Sequence, residues 1–228
     1  MIGVLVPAHN EQALIGDCLR SIQHAAGHPA LQGEPVEIVV ALDSCSDDTA
    51  AICASLGVRT IALDARCVGQ ARRAAADTLL QAGGRWLAST DADSKVPQDW
   101  LSAQLQCGAD AFCGTVRVAD WLDFAERVRA AFLAGEHYED DHPHVHGANF
   151  GLSAAAYQAV GGFPALAAHE DRGLLDALER AGYTIARKAN PAVTTSARRD
   201  ARARQGFGDY LLAIETAVAR AAQGLAGS

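Results

Sequence analysis

Short apolar runs alternate with segments of helical periodicity in the first half of the chain, and this alternation constrains the fold more than any other feature. The runs at residues 2–6, 36–42, 58–63 and 86–89 have the length and composition of buried strands. Between them, segments such as 70–82 carry apolar residues at helical spacing. Strands joined in this way pair in parallel through right-handed crossovers, with helices on both faces of the sheet. The pattern therefore predicts an α/β fold.

The second half of the chain is less regular, but it continues the mixed pattern. Strand-like runs occur at residues 111–118, 149–152 and 183–187, and helical segments at 120–134, 153–160, 170–181 and 209–222. No linker-like or low-complexity segment separates the two halves. Because 228 residues are enough to bury one complete core, we predict a single domain over residues 1–228.

Charge and hydropathy exclude two broad classes of protein. The chain has 19 basic and 27 acidic residues, the opposite of the balance that a general nucleic-acid binder needs. No apolar run approaches the roughly 20 residues of a membrane span. An apolar run starts directly after Met1, so we expect no signal peptide. The six cysteines show no Cys-x-x-Cys spacing. We expect a cytoplasmic protein with reduced thiols, no nucleic-acid partner and no membrane span, and we make no prediction of its oligomeric state.

Polar clusters follow three of the predicted strands, at residues 7–11, 43–48 and 91–93. Ligands of parallel sheets bind where the carboxyl ends of the strands meet, so the three clusters are expected to form one site. Asp91 and Asp93 are two residues apart and point the same way in an extended chain. Such a carboxylate pair suits Mg²⁺ or Mn²⁺, although the same pattern is also common in turns and caps.

The order of the motifs resembles glycosyltransferase family 2, an inverting family with the GT-A fold, over nearly the whole chain. The sequence reads VLVPAHNE, VVALDSCSDDT, GQARRAA, STDADS, GANFGLSAAAYQAVGGF and HEDRGLLDALERAGY in that order. The resemblance implies a mostly parallel central sheet, a nucleotide-binding half at 1–95 and an acceptor-binding half at 96–228. It also implies transfer of a sugar from a UDP- or GDP-linked donor to an acceptor hydroxyl with inversion, assisted by Mn²⁺ or Mg²⁺.

The resemblance places the first four motifs around the donor. The nucleotide-sugar-binding residues that it implies are Pro7, Ala8, Asn10, Glu11, Asp43, Arg72 and Asp91, with Asp93 as the metal ligand. Two positions depart from the family pattern: Leu42 replaces the first of two acids, and Arg73 replaces an Asn. From the residues alone, Glu11 is equally a first-turn acid of a helix capped by Asn10, and a loop cap is the alternative interpretation of Asp43.

The later motifs are placed at the acceptor side. Asp171 resembles the family's catalytic base, and Glu170 is the alternative because both acids stand at a helix start. A carboxylate in this position takes the proton of the attacking hydroxyl. His146, Gly147, Ala148 and Asn149 would line the acceptor side. Arg198 and Arg199 lead an arginine-rich segment, TSARRDARARQGF, which resembles a loop that folds over the diphosphate; a solvated surface is the other interpretation.

Three histidines, His142, His144 and His146, support alternative functions. Their alternation places them on one side of an extended segment, as a metal site or a mobile acceptor loop would require. A metal-dependent hydrolase would use this cluster together with Asp141 and His169. A non-catalytic sugar-nucleotide binder would bind the donor without turnover.

Overall fold

The structure is a computed structural model that describes residues 1–136, 138–199 and 206–226, with side chains described as far as residue 221. The described strands are β1 (Ile2–Ala8), β2 (Val36–Asp43), β3 (Arg59–Leu63), β4 (Trp86–Ser89), β5 (Ala111–Val118), β6 (Phe150–Ser153) and β7 (Ile185–Thr195). The described helices are α1 (Ile15–Ala26), α2 (Thr49–Ser55), α3 (Val68–Gln81), α4 (Trp100–Gln106), α5 (Glu126–Gly135), α6 (Ala154–Ala159), α7 (Glu170–Arg180) and α8 (Phe207–Ala226). Short 3₁₀ turns at Pro29–Leu31 and Gly147–Asn149 complete the described elements.

The strands form one mixed sheet in the order β3-β2-β1-β4-β6-β5-β7. Strands β1 to β4 pair in parallel, whereas β6 is antiparallel to both β4 and β5. Because β6 is antiparallel to both of its neighbours, β5 runs in the same direction as β4. Strand β7 pairs in parallel with β5 and therefore runs in this direction too. The carboxyl ends of six strands and the start of β6 therefore meet at one edge. The predicted α/β fold with a mostly parallel sheet is confirmed.

The two faces of the sheet bury separate cores. Along β1, Val4 and Val6 point into one core, and Leu5 points into the other, as strand alternation requires. Leu19 of α1 covers the first core and Leu79 of α3 the second, and all five side chains are fully buried. A strand buried on both faces reads as a continuous apolar run, which explains the run that begins the sequence.

Several element bounds differ from the sequence-based prediction. Helix α5 begins at Glu126 and not at residue 120, β7 ends at Thr195 and not at residue 187, and the helices after β1 and β2 also begin later than expected. Asn10 does not cap α1, which begins five residues later, at Ile15. Asn10 instead has a positive φ of 54°, and its Oδ1 accepts a hydrogen bond of 2.8 Å from the backbone N–H of Ser46. Ser46, followed by Asp47 and Asp48, has the chemistry of a helix start, but helix α2 begins at Thr49. The polar residues after β1 and β2 bind one another, so they are not available to cap the helices that follow.

All six cysteines are free thiols, and four of them are buried. Among the helices that the structure describes, none combines the length and the apolarity needed to cross a bilayer.

A buried amide joins three elements near the edge of the sheet where the carboxyl ends of the strands meet. Asn149 is fully buried, and its Oδ1 accepts a hydrogen bond of 2.9 Å from the indole N–H of Trp100 in α4. Its Nδ2 donates to the carbonyl oxygens of Thr115 in β5, at 2.8 Å, and Pro191 in β7, at 2.9 Å. Gly114 allows this approach, since a Cβ there would lie 2.1 Å from Nδ2.

Asn149→Ala is expected to reduce the free energy of unfolding by about 3 kcal/mol, because one buried donor and two buried carbonyl groups lose their partner. Urea unfolding followed by circular dichroism measures the change. Gln81→Ala removes an exposed amide at the end of α3 and is expected to change stability by less than about 0.5 kcal/mol. A loss below about 1 kcal/mol for Asn149→Ala would show that these hydrogen bonds are not needed.

Candidate active site

A cavity of about 840 Å³ opens at the edge of the sheet where the carboxyl ends of the strands meet. Of the residues that the sequence predicts for the site, it brings together Pro7, Ala8, Glu11, Asp43, Arg72, Asp91, Asp93, His146, Gly147, Ala148, Glu170, Asp171 and Arg198. The antiparallel course of β6 delivers the segment before it to this edge, and the parallel course of β7 delivers the segment after it. Residues more than 100 positions apart thus share one cavity.

Arg72 of α3 is the buried cation of the site. Its guanidinium forms ion pairs with Glu170 at the start of α7 and with Asp91 after β4, and its Nε donates to Ser89 Oγ at 3.2 Å. The Arg72 and Glu170 side chains are each 4% exposed. Gly147 packs directly on the guanidinium, and a Cβ there would lie 2.3 Å from its Nη2. Arg72 therefore fixes the walls of the cavity relative to one another.

Arg198 is a second cation, contributed by the segment after β7. Its guanidinium binds both carboxylate oxygens of Glu11, at 2.5 and 2.6 Å, and lies 3.2 Å from Asp93 Oδ2. Glu11 is buried, and its backbone N–H donates to Thr49 Oγ1 at 2.8 Å. The structure thus places Glu11 in the cavity wall, and not in the first turn of α1.

Among the described residues, six carboxylates and four guanidinium groups line the cavity. Asp93 lies close to two of the other carboxylates, Asp91 and Glu11. Burial raises the pKa of Asp93 to about 6; the charge of Arg198 opposes this rise, whereas the carboxylates of Asp91 and Glu11 add to it. A carboxylate whose negative charge is disfavoured by its neighbours gains from a nearby cation. The oxygen donors at this position fit a hard divalent cation.

Asp43 shapes one wall of the cavity. Its carboxylate accepts hydrogen bonds of 2.8 Å from the backbone N–H groups of Ala65, Arg66 and Cys67, between β3 and α3. Burial acts to raise the pKa of Asp43, but these bonds outweigh it and the pKa is lowered. Asp43 therefore caps the loop between β3 and α3 and also lines the cavity.

The two acids at the start of α7 have different environments. Glu170 is paired with the buried Arg72, whereas Asp171 is not. Asp171 Oδ2 accepts a hydrogen bond of 2.7 Å from the backbone N–H of Gly147, and its Oδ1 accepts one of 2.7 Å from that of Arg172. His169, at φ 60°, turns the chain into the helix so that both acids reach the cavity. Asp171 is therefore the acid with the fewer charged partners.

The three alternating histidines lie on one side of their segment, as predicted. The rings of His142 and His144, and those of His144 and His146, stack with centroids 5.7 Å apart. His146 is the member that lines the cavity. Burial lowers the pKa of His146 to about 4, so its imidazole is neutral at pH 7.

Three residues that the sequence predicts for the site do not line the cavity. Asn10 binds the loop after β2, and Asn149 is buried behind the site. Arg199 forms ion pairs with Asp123 and Glu215, and its guanidinium lies 4.1 Å from the centre of the Phe124 ring. The distal arginines of the same segment, Arg202 and Arg204, lie outside the described residues.

Several cavity residues were not among the named site residues, although one of them, His9, lies within the predicted cluster at residues 7–11. His9 donates from Nδ1 to the carbonyl oxygen of Asp43 at 2.7 Å, and Arg66 follows the end of β3. Both positions could have been found, because each lies just beyond the carboxyl end of a strand. Phe207 and Tyr210 of α8 also line the cavity, but nothing in the local sequence places this helix there.

Comparison of the sequence with protein families identifies the chain. The model described as Glycosyl transferase family 2 matches residues 3–160, more than half of the chain. The chain therefore belongs to glycosyltransferase family 2. No curated protein matches it by sequence.

Solved structures with the same fold are glycosyltransferases of low sequence identity. S. aureus TarS 1-349 in complex with UDP-GlcNAc has a TM-score of 0.68 and 16% identity, over 90% of this chain and 61% of that one. The mannosyltransferase PcManGT from Pyrobaculum calidifontis, in complex with GDP-Man and Mn²⁺, has a TM-score of 0.64 and 20% identity, over 88% of this chain and 58% of that one. The chain thus spans about three fifths of either structure, and the likeness establishes the GT-A fold.

Arg72→Met is expected to destabilise the fold by about 3–5 kcal/mol, because the Glu170 carboxylate stays buried without its partner. The double variant Arg72→Met/Glu170→Gln should recover most of this loss, since the uncompensated charge is gone. Urea unfolding measures both effects. Arg73→Met, at the exposed neighbouring position, is the matched control and should change stability by less than about 0.5 kcal/mol. No recovery in the double variant would contradict the dominant role of the Arg72–Glu170 pair.

Proposed function

We propose that the chain is a metal-dependent, inverting glycosyltransferase that moves a sugar from a UDP- or GDP-linked donor to an acceptor hydroxyl. The observation that carries the proposal is the meeting of Asp91 and Asp93, from the end of β4, with Asp171, from the start of α7, in one cavity. Membership of glycosyltransferase family 2 supports the reaction class. The printed ligands of the similar structures, UDP-GlcNAc and GDP-Man with Mn²⁺, support the classes of donor and cation.

Asp93 would hold the divalent cation, Mn²⁺ or Mg²⁺. When bound, such an ion acts as a Lewis acid that stabilises the negative charge of a departing diphosphate. The donor brings further negative charge into a cavity whose described residues include more carboxylates than guanidinium groups. Arg198 binds Glu11 and lies 3.2 Å from Asp93, so it is a protein cation at this position. Its guanidinium would contribute a second positive charge at the diphosphate.

Asp171 would act as the base. In a single displacement, the acceptor oxygen attacks the anomeric carbon, the bond from this carbon to the diphosphate oxygen breaks, and the hydroxyl proton passes to the Asp171 carboxylate. Hydrogen bonds from the N–H groups of Gly147 and Arg172 orient this carboxylate. Glu170 is less suited to accept the proton, because its buried ion pair with Arg72 stabilises its charged form.

The hydrolase alternative has less support from the arrangement of its residues. It requires Asp141 and the histidine cluster to act together with His169. Asp141 is exposed and does not line the cavity, whereas His146 and His169 do. A non-catalytic binder is separated from the proposed enzyme by the Asp171 experiment below.

Thermal unfolding with UDP-, GDP- and dTDP-sugars, with and without Mn²⁺, tests donor binding. Free donor at about 100 times its dissociation constant should stabilise the fold by about 2.7 kcal/mol. Asp93→Ala is expected to abolish the Mn²⁺-dependent part of this shift, because the oxygen ligand is lost. Asp77→Ala, at an exposed position of α3, should bind as the wild type does. Absence of a shift with every donor would refute the proposal, and unchanged Mn²⁺-dependent affinity in Asp93→Ala would refute the role of Asp93.

Asp171→Asn is expected to keep donor binding and to lower the turnover number by about 10²–10⁴-fold, since an amide cannot accept the proton. Product formation is measured with an acceptor that the wild type uses. Asp176→Asn, on the same helix but outside the cavity, should retain turnover. Wild-type turnover in Asp171→Asn would exclude Asp171 as the base. Donor binding without turnover in the wild type, across a broad acceptor panel, would favour the non-catalytic binder.

A further inference from the structure

A second group of metal-ligating side chains stands beside the cavity, apart from the carboxylates around Asp93. Glu136 follows the end of α5, and His144 and His146 precede the 3₁₀ turn that leads into β6. One donor atom from each of the three residues lies within 4.8 Å of the other two. His144 Nε2 is 3.7 Å from a carboxylate oxygen of Glu136, whose side chain is only 3% exposed.

His146 gives an independent indication of a ligand. Its Nε2 is buried and has no hydrogen-bond partner among the described residues. A buried nitrogen without a partner costs free energy unless a ligand, an ion or a water molecule satisfies it. His142 also has a buried nitrogen without a partner, its Nδ1, but its Nε2 donates to the carbonyl oxygen of Lys188 at 3.2 Å and its donor atoms are not part of the cluster. The nearby ligand group is thus formed by Glu136, His144 and His146, and not by the three histidines that the sequence pattern suggests.

We propose that Glu136, His144 and His146 bind one transition-metal ion, of which Zn²⁺ is the best match. Two imidazole nitrogens and one carboxylate oxygen form a donor set typical of zinc. Ligand atoms on a tetrahedral zinc ion, with bonds of about 2.0–2.1 Å, stand about 3.3 Å apart. The observed separations approach this spacing, so small rotations of the side chains are enough to close the site. Three protein donors leave a fourth position for water.

This site differs from the proposed donor site in the cation that it selects. Mg²⁺ and Mn²⁺ prefer oxygen ligands, whereas imidazole favours zinc and its neighbours in the transition series. The bound ion would join the end of α5 to the segment that carries His146 into the cavity wall. The next residue, Gly147, donates its N–H to Asp171. The proposed zinc ion would therefore hold in place the wall against which Asp171 rests, without touching the reacting atoms.

Titration of the metal-stripped full chain with Zn²⁺ tests the proposal directly. Saturating Mg²⁺ is kept present so that the carboxylate site is filled, and isothermal titration calorimetry gives the stoichiometry. We expect one equivalent of Zn²⁺ with a dissociation constant in the micromolar range or below. Co²⁺ as a spectroscopic substitute should give the visible bands of four- or five-coordinate cobalt. A thiolate-to-cobalt charge-transfer band would instead assign the metal to cysteine and overturn the proposal.

Variants identify the ligands. His144→Ala and Glu136→Gln should each weaken Zn²⁺ binding by at least about tenfold, the latter with little change in side-chain volume. His28→Ala, a histidine before the Pro29–Leu31 turn, and Asp93→Ala should bind Zn²⁺ like the wild type. Circular dichroism confirms that each variant is folded. Absence of stoichiometric binding in the wild type, or wild-type affinity in both ligand variants, would refute the site, and neither result depends on glycosyl transfer.

Discussion

Two guanidinium groups hold together the carboxylates at the edge of the sheet where the carboxyl ends of the strands meet. Arg72 pairs with Asp91 and Glu170, and Arg198 pairs with Glu11 and lies next to Asp93. Without these cations, several carboxylates from distant parts of the chain would repel one another in a partly desolvated cavity. Removal of one partner from such a buried pair costs much more than the pair itself contributes. The arrangement therefore fixes the geometry of the site more than it adds to stability.

The two arginines have unequal surroundings. Arg72 is almost fully enclosed, with a side chain that is 4% exposed, whereas Arg198 is 23% exposed. Arg72 is locked by Ser89 and by the close approach of Gly147. Arg198 belongs to the connection between β7 and α8, and its partners are the carboxylates nearest to the proposed cation site. Arg72 therefore serves as a fixed part of the cavity wall. A metal ion bound at the proposed site would instead compete with Arg198 for its carboxylate partners.

Local patterns in the sequence predicted the elements well and the contacts between them poorly. Strands β4 and β5 begin and end at the predicted residues, whereas β7, predicted at 183–187, spans Ile185–Thr195. Most of the site residues were likewise predicted from their positions just beyond the carboxyl ends of strands.

The prediction that Asn10 caps α1 was wrong, because its partner, Ser46, lies 36 positions away. The pairing of Glu11 with Arg198 spans 187 positions, and no local pattern indicates such a contact. Asn149 likewise has the polarity of a site residue, but its three partners come from α4, β5 and β7, so only the assembled fold shows that its role is structural.

The reversed strand β6 has a consequence for how the site can vary. An antiparallel strand begins at the edge where its parallel neighbours end, so the residues before β6 enter the cavity while those after it leave on the far side. A change in the connection before β6 would reach the cavity wall around His146, whereas a change after β7 would reach Arg198, which binds Glu11 and lies beside Asp93. Chain direction therefore decides which wall of the cavity each connection can alter.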